Sequence, residues 1–362
     1  METKTYNKHE LREFVNSDFY KELQNIPISK HRAISQVRNP RADENDILLV
    51  AAYDGKKLVG YLGILPDYLF SDGKTDKVGW LTCFWVDNDY KSKNVAANLF
   101  LRVIRGWDQK ILITNIVPAL EPVYQKTKIF QPTTYKSGIR GYVRFSLNTI
   151  LPPKHLFFRK IVPVLKLADI ILNLPVDLKL TVFKTFKTNI QFEYLKKLSE
   201  EDENFITRTP EPNWNQRGID EINWIISNPW IIQGPADQES SRYYFSSVSK
   251  QFFYRILRVK NNRNEIIALA VLMIRNKNLT TPYLFCSESG WEPLSEIIVN
   301  TLKEQKLNMF TTFHDKLART LKSIRTPFLF TKIIKKPYLI SKKFEYITEL
   351  NFQDGDGDCA FY

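Results

Sequence analysis

The dipeptide Asp54-Gly55 is the feature that most constrains how the first part of this chain can fold. It separates two runs rich in β-forming residues, 47–53 and 57–65, and Asp-Gly between such runs is a strong signal for a tight antiparallel hairpin. An apolar, aromatic strand is predicted at 79–86. Apolar residues then recur at helical spacing over 95–104. This order predicts a mixed α/β unit whose mostly antiparallel sheet is flanked by helices.

Shorter elements complete this first unit. Gly106 is predicted to end the helix. A strand is expected at 111–116, a short helix at 119–128 and a closing strand at 141–147. The unit therefore extends to about residue 150.

The length of 362 residues favours two domains, because one hydrophobic core rarely serves so long a chain. Pro152-Pro153 breaks the pattern, and the order hairpin, strand, helix, strand, helix, strand recurs after residue 250. We therefore predict two tandem domains of the same α/β (α+β) class. The predicted boundaries are 1–150 for the first domain, 151–188 for a short helical connector and 189–362 for the second domain.

The predicted connector consists of two helices, at 156–174 and 176–186, that are very apolar and also basic. Such a stripe either packs between two domains or lies on a membrane surface. The segment 154–187 is accordingly a candidate for peripheral membrane contact.

Composition narrows the class of protein. The formal charge is +13, yet there is no polybasic tail or arginine-rich helix, so specific nucleic-acid binding is not expected. The three cysteines are widely separated and no metal-binding spacing occurs, so no metal is expected. A polar N-terminus and the absence of about 18 consecutive apolar residues predict a cytoplasmic protein. The acidic stretch 354–358 lacks the spacing of a calcium loop and predicts a turn that leads into a last strand.

The segment 86–96 contains the most informative candidate for a binding site. A strand ends at Val86, the chain turns, and a helix begins at Val95. The first amide groups of a helix have no internal partner and carry partial positive charge, so they suit a diphosphate. Lys91 and Lys93 would add charge-assisted contacts.

These residues resemble GNAT, the Gcn5-related N-acetyltransferase family. Its signature is a strand Val followed, five positions on, by an Arg or Gln that opens a glycine-rich loop. Val86 and Lys91 have that spacing, whereas Asn94 stands where Gly is usual. Asn tolerates left-handed backbone better than most residues, so the turn can survive. The resemblance implies that these residues bind acyl-coenzyme A: Phe84, Trp85, Val86, Lys91, Ser92, Lys93, Asn94, Val95, Ala96 and Asn115.

A second similarity to GNAT proteins lies downstream, in the pattern Asn115, Ala119, Tyr124 and Phe130. By that resemblance Asn115 faces the pantetheine arm, and Tyr124 is the general acid that protonates the departing thiolate. The central strand has no carboxylate at the position of the family's base. Asp87, Asp89 and Glu121 are nearby alternatives, and the base stays open.

The resemblance implies an N-acyltransferase that moves an acetyl group from acetyl-CoA to an amine by direct attack in a ternary complex. The acceptor would be a small-molecule or peptide amine. The second domain has an acidic stretch, 286–292, in place of the cofactor loop and is not expected to bind acetyl-CoA. Two alternatives remain: a Fem-type aminoacyl transferase of cell-wall synthesis, and a catalytically degenerate GNAT fold used for binding or assembly. Formation of a homodimer is left open.

Overall fold

The structure is a computed structural model that describes residues 1–71, 73–186, 190–209 and 213–361. The strands are β1 (Glu2–Tyr6), β2 (Leu49–Asp54), β3 (Lys57–Ser71), β4 (Lys74–Val86), β5 (Ile111–Thr114), β6 (Thr134–Tyr142), β7 (Gln191–Leu195), β8 (Ile232–Gln233), β9 (Val248–Ser249), β10 (Phe252–Lys260), β11 (Ile266–Arg275), β12 (Asn278–Cys286), β13 (Met309–Thr312) and β14 (Phe330–Ile340). The helices are α1 (Lys8–Phe14), α2 (Asp18–Glu22), α3 (Lys30–Val37), α4 (Val95–Gly106), α5 (Glu121–Lys126), α6 (Leu147–Ile150), α7 (Leu156–Lys160), α8 (Val162–Val182), α9 (Glu200–Arg208), α10 (Ile219–Ser227), α11 (Gln238–Arg242), α12 (Trp291–Glu304) and α13 (Asp315–Ser323).

The chain forms two compact units, each assembled from more than one stretch of sequence. Unit 1 comprises Met1–Lys136, Lys196–Tyr254 and Lys335–Tyr362, and unit 2 comprises Ser137–Leu195 and Arg255–Ile334. The domains predicted from the sequence, 1–150, 151–188 and 189–362, are by contrast single continuous stretches, and these boundaries stay a prediction. The last two connector residues, 187 and 188, and the first residue of the predicted second domain, 189, lie outside the described residues.

The sheet of unit 1 has the strand order β1-β2-β3-β4-β5-β14. The first four strands are antiparallel neighbours, β5 is parallel to β4, and β14 is antiparallel to β5. Helices cover both faces, so β2 is buried along almost its whole length. Successive side chains point to opposite faces. Leu49 and Ala51 therefore join the core beneath α1 to α3, whereas Val50 and Ala52 join the core beneath α4 and α5.

A buried ionic cluster joins distant stretches within unit 1. The Asp67 carboxylate on β3 lies 2.7 Å from the guanidinium of Arg41 and 2.7 Å from that of Arg217. Asn215 also donates to it, at 2.6 Å. Although burial opposes the effect, the two cations lower the pKa of Asp67. The pairing matters because a buried charge without a partner is strongly destabilising.

The sheet of unit 2 has the order β6-β13-β12-β11-β10-β7. β12 and β13 are its parallel pair, and β13 is antiparallel to β6. The pattern of antiparallel strands, one parallel step and one antiparallel end strand is therefore the same in both units. The end strand of unit 1, β14, follows its other strands by about 200 positions in the chain, and the end strand of unit 2, β6, precedes all of its other strands. Tandem duplication itself stays a prediction.

The predicted fold class, a mixed α/β fold with a mostly antiparallel sheet and flanking helices, is confirmed. Three local predictions were wrong. The closing strand expected at 141–147 is β6, which ends at Tyr142. The turn at 354–358 leads into a short 3-10 helix, Cys359–Phe361, and not into a strand.

The third error concerns the connector, where Pro175 does not separate two helices. It lies inside α8, which continues to Val182. A proline costs one helical hydrogen bond and clashes with the preceding turn. Buried residues on both sides of it, Asn173 and Val176, hold the two halves of the helix on unit 2. Among the described helices, none combines the length and apolarity that crossing a bilayer requires.

Candidate active site

Strands β4 and β5 are paired at one end only. The parallel register joins Gly79 to Ile111 and Trp80 to Leu112, and the described residues contain no further pair between these strands. β5 pairs on its other edge with β14. The last part of β4, 81–86, therefore has no β5 neighbour, so its edge can pair with an extended ligand.

A β-bulge reshapes β4 in that same stretch. The register with β3 shifts between Gly63↔Thr82 and Tyr61↔Trp85, so two residues of β4 face one residue of β3. Cys83, within the bulge, has a left-handed backbone with φ 49°. Bulges bend a strand and redirect its amide groups, and they are frequent beside active sites.

The predicted cofactor-binding residues at the end of β4 point to both faces of the sheet. Phe84 and Val86 pack against the core beneath α4 and α5. Trp85 packs on the other side, and its ring lies 5.6 Å from that of Tyr61. Their side chains thus do not form one surface. The sequence-based assignment concerned their backbone groups.

The start of α4 is open. Asn94 is its N-cap and has the left-handed conformation, φ 58° and ψ 17°, that its amide side chain tolerates. No side chain caps the helix, and the described residues supply no backbone acceptor for the amides of Ser92, Asn94, Val95 and Ala96. All of these residues except Val95 are exposed. The corner is therefore not filled by side chains and leaves several amide donors facing solvent.

Two lysines stand beside this helix start. The ammonium group of Lys93 lies 4.1 Å from the centre of the Tyr90 ring, whose hydroxyl donates to Asp54 at 2.7 Å. Lys91 is also exposed. Together with the positive end of the helix they make the corner electropositive.

Tyr124 is buried on α5, in the same core as Val95. Its ring contacts Phe100 and Phe130, with centroids 5.6 and 6.0 Å away. Burial raises the pKa of Tyr124 to about 12. The hydroxyl therefore stays protonated at physiological pH, as a hydrogen-bond donor must. Asn115, at the end of β5, has a left-handed backbone and donates to the Cys359 sulfur at 3.2 Å.

The carboxylates considered as general bases have structural contacts. Asp87 accepts from the Asp89 amide at 2.9 Å and pairs with Lys57 at 3.0 Å. These contacts, the amide first, lower the pKa of Asp87 and make it a weaker base. Glu121 accepts a hydrogen bond from the Tyr135 hydroxyl at 3.1 Å.

A cavity of about 150 Å³ lies on the other side of β4 from α4. Four aromatic residues line it: Tyr61, Trp85, Tyr243 and Tyr244. Tyr61 is almost fully buried, and its hydroxyl has no hydrogen-bond partner within the described chain. A buried polar group without a partner is costly unless a ligand or water satisfies it.

Sequence reasoning did not find this cavity or the buried Arg32 beside it. The Arg32 guanidinium donates to the Tyr243 hydroxyl at 2.7 Å and contacts Cys83 and Thr82. It also lies 3.8 Å from the Trp230 ring. These partners are 50 to 211 positions away from Arg32, so no local pattern could have grouped them.

The corresponding helix start in unit 2 is different. α12 begins with Trp291, which is buried, followed by Glu292 and Pro293. Pro293 has no amide hydrogen, and Glu288 and Glu292 line an open cavity at this corner. Carboxylates there would repel a diphosphate.

Comparison with known proteins gives a family match for part of the chain. Residues 8–109 match the model of the Acetyltransferase (GNAT) family, so this segment is a GNAT domain, as its residues predicted. GNAT proteins are acyltransferases, and the match therefore supports acyl transfer as the class of reaction. No curated protein matches the chain.

Two solved structures resemble almost the whole chain. One is a conserved protein of unknown function from Enterococcus faecalis V583, described as a probable N-acyltransferase. It has 8% identity, a TM-score of 0.52, and coverage of 94% of this chain and 73% of that one. The other is a GCN5-related N-acetyltransferase from Anabaena variabilis ATCC 29413, with 11% identity, a TM-score of 0.50 and coverage of 93% and 71%. At these identities the likeness shows the fold.

Proposed function

We propose that this protein is an acyl-CoA-dependent N-acyltransferase that transfers an acetyl group from acetyl-CoA to an amine. The observation that carries the proposal is the uncapped, exposed start of α4 at Asn94, flanked by Lys91 and Lys93. Its amides would hold the diphosphate of coenzyme A. The free edge of β4 would pair with the pantetheine arm. The three cysteines are thiols outside any disulfide, which is compatible with the reducing cytoplasm, where we place the reaction.

The proposed chemistry is one displacement at the thioester. The amine nitrogen attacks the carbonyl carbon, the carbon–sulfur bond breaks, and the sulfur takes up a proton while the nitrogen loses one. Amides of the bulge at Cys83 would stabilise the oxyanion. Tyr124 would donate to the departing sulfur, and holding both reactants together would supply much of the rate.

Calorimetry with acetyl-CoA and S-acetylpantetheine tests the diphosphate contact. S-acetylpantetheine lacks the diphosphate and the phosphorylated adenosine attached to it, so acetyl-CoA should bind at least tenfold more tightly, by an order-of-magnitude estimate for charge-assisted contacts. Replacing Lys91 and Lys93 together by Ala should reduce that difference, because the charge-assisted contacts are lost while the helix amides remain. Lys30→Ala, an exposed lysine of α3, is the matched control. Equal affinities for the two compounds, or no binding of either, would overturn the proposal.

We further propose that the acceptor amine enters through the aromatic cavity beside Trp85. The cavity lies across β4 from α4, so an acceptor there could approach the thioester from the face opposite the cofactor. Aromatic walls attract an ammonium group, and the Tyr61 hydroxyl, without a partner among the described residues, offers it a hydrogen bond. Arg242 also lines the cavity, but its guanidinium donates to the carbonyls of Tyr20 and Leu23.

Tyr61→Phe tests this assignment. The Tyr61 hydroxyl has no partner among the described residues, so its removal should maintain or raise the free energy of unfolding. The KM for the amine should rise roughly fivefold, the equivalent of one hydrogen bond, with unchanged affinity for acetyl-CoA. The amine for this measurement is chosen from a panel of amino sugars, polyamines and amino-acid amides. It is the compound with the fastest release of coenzyme A thiol.

The control for Tyr61→Phe is Tyr53→Phe. The Tyr53 hydroxyl is bonded to that of Tyr6 at 3.2 Å. Its loss should lower the free energy of unfolding by about 1 kcal/mol and leave the KM unchanged. An unchanged KM in Tyr61→Phe would remove the cavity from the acceptor site.

A further inference from the structure

The long helix α8 of unit 2 has its polar side turned inward. Asp169 is buried and accepts from the amides of Leu147 and Asn148, at 2.6 and 3.0 Å. Asn173, one turn later, bonds both the amide and the carbonyl of Phe145, each at 2.9 Å. Asp177 pairs with Arg144. Three aliphatic residues of the same side, Leu165, Val176 and Leu180, are buried as well. The helix is therefore held on unit 2 by hydrogen bonds, an ion pair and a short row of aliphatic side chains.

The apolar side of α8 is turned outward. Seven large aliphatic residues of this side are between 56% and 71% exposed: Val164, Leu167, Ile170, Ile171, Leu174, Leu178 and Val182. At about 100° per residue they centre on a line roughly 150° from the midpoint between the buried Asp169 and Asn173. A surface helix normally has the opposite orientation, with the apolar stripe facing the core. A continuous exposed stripe of this kind marks an interaction surface.

The charges around the stripe are of one sign. Lys166 and Lys179 are exposed and lie on opposite flanks of the apolar line. Lys154, Arg159, Lys160 and Lys184, in the adjoining segments, are exposed as well. The two carboxylates of the helix, Asp169 and Asp177, are both engaged by partners on unit 2. The outward surface of α8 thus consists of an aliphatic stripe between basic residues. Neither carboxylate of the helix is turned toward it.

We infer that this face of α8 binds the surface of an anionic lipid bilayer. The aliphatic side chains enter the boundary between headgroups and acyl chains, and the flanking lysines contact anionic headgroups. A protein partner would need a hydrophobic groove with acidic rims. A bilayer needs no such groove, because its apolar interior and anionic headgroups complement the aliphatic stripe and the basic residues on both sides of it. The inference concerns unit 2 alone and does not depend on acyl transfer.

Vesicle flotation with the full-length chain tests the inference. The protein should float with vesicles of phosphatidylcholine and phosphatidylglycerol, float much less with phosphatidylcholine alone, and be released by high salt. Leu174→Ser combined with Leu178→Ser should weaken partitioning roughly tenfold or more, because two exposed leucines no longer enter the bilayer. Lys166→Glu combined with Lys179→Glu should abolish the preference for phosphatidylglycerol.

Leu101→Ser is the matched control, because Leu101 is an exposed leucine of α4 in unit 1. It should leave flotation unchanged. All substituted residues are exposed, so melting temperature and circular dichroism should match those of the unmodified chain. Absence of flotation, or flotation that the α8 substitutions do not alter, would overturn the inference. Sedimentation that shows a dimer dispersed by Leu174→Ser and Leu178→Ser, without vesicle binding, would assign the face to a second copy instead.

Discussion

At the scale of single residues, burial decides which polar groups can take part in chemistry. Tyr124 and Asp356 are both buried, and both have a raised pKa, of about 12 and about 6. The same physical cause keeps the phenol in its donor form and the carboxyl partly protonated. Asp87 is half-buried, but the Asp89 amide and Lys57 stabilise its charged form, so its pKa is lowered.

Replacing Tyr124 by Phe tests the proposed acid. The substitution keeps the ring contacts with Phe100 and Phe130, so stability should change little. The turnover number should fall roughly 100-fold, the usual scale of general acid catalysis, while affinity for acetyl-CoA is maintained. Since the pKa is about 12, the loss should be the same at pH 7 and pH 9. Steady-state kinetics measure this, with Tyr135→Phe as control; unchanged turnover would exclude Tyr124 as the acid.

Asp356→Asn tests the effect of a buried carboxyl on stability. Burial, opposed by Arg217, raises the pKa of Asp356 in the folded protein to about 6, above its ordinary value. The folded state therefore binds the proton more tightly, and this carboxyl lowers the free energy of unfolding as pH rises from about 4 to 7. Asn retains an acceptor for the Gln353 amide.

The substituted protein should accordingly be more stable than the original at pH 7, by on the order of 2 kcal/mol, and similar to it at pH 4. Urea unfolding at several pH values measures the difference. Asp220→Asn, which removes an exposed carboxylate, should show no such trend. A difference that does not depend on pH would contradict the assignment.

At the scale of elements, the site depends on where α4 begins. Gly60 lies under its first turn, and a Cβ atom there would come within 2.8 Å of Val95 and 3.0 Å of Leu99. The close approach holds the helix start against β3. The left-handed Asn94 then sets the direction in which the amides point.

Exchanging Asn94 for Gly or Ala tests that geometry. Gly adopts the left-handed conformation freely, whereas Ala in this conformation costs about 1 kcal/mol or more. Asn94→Gly should maintain or increase affinity for acetyl-CoA, and Asn94→Ala should weaken it by about fivefold or more. Calorimetry compares them, with Asn98→Ala on the next turn as control. Equal affinities for the Gly and Ala variants would show that the backbone at this position does not hold the cofactor.

At the scale of the whole molecule, unit 1 needs residues from both ends of the chain. β14 supplies the end strand beside β5, and Arg217 supplies one of the two cations that neutralise Asp67. Trp80, on β4, contacts Phe352 with ring centroids 5.4 Å apart. The first domain predicted from the sequence, 1–150, contains none of these partners.

A fragment of residues 1–150 should therefore not fold by itself. Asp67 would keep Arg41 but lose Arg217 and Asn215, and the loss of one partner from a buried ion pair costs roughly 3–5 kcal/mol. Circular dichroism and urea titration should show no cooperative transition for the fragment, whereas the full chain should show one. Arg217→Ala in the full chain isolates the ionic contribution. A fragment that unfolds cooperatively would support the sequence-based boundary.

Local patterns predicted the elements well where each element carries its own signal. The Asp54-Gly55 turn, the apolar spacing of α4 and the run that forms α12 need no distant partner, and these elements lie close to where the sequence indicates. The break expected at Pro175 was wrong because contacts with unit 2 hold the helix together. The strand expected at 141–147 was displaced because pairing with β13 selects 139–142.

The amino-acid sequence alone determined the fold class, the GNAT resemblance of residues 1–150, of which the family model matches 8–109, and the candidate diphosphate corner at Asn94. Hydrophobic period, turn chemistry and motif spacing are all local. Only the tertiary structure decided that β14 joins β5, that Arg32 lies beside Cys83, and that the apolar side of α8 faces outward. Those features depend on pairings between residues tens to hundreds of positions apart. Such pairings are selected by the total burial and hydrogen bonding of the folded chain, which no short stretch encodes.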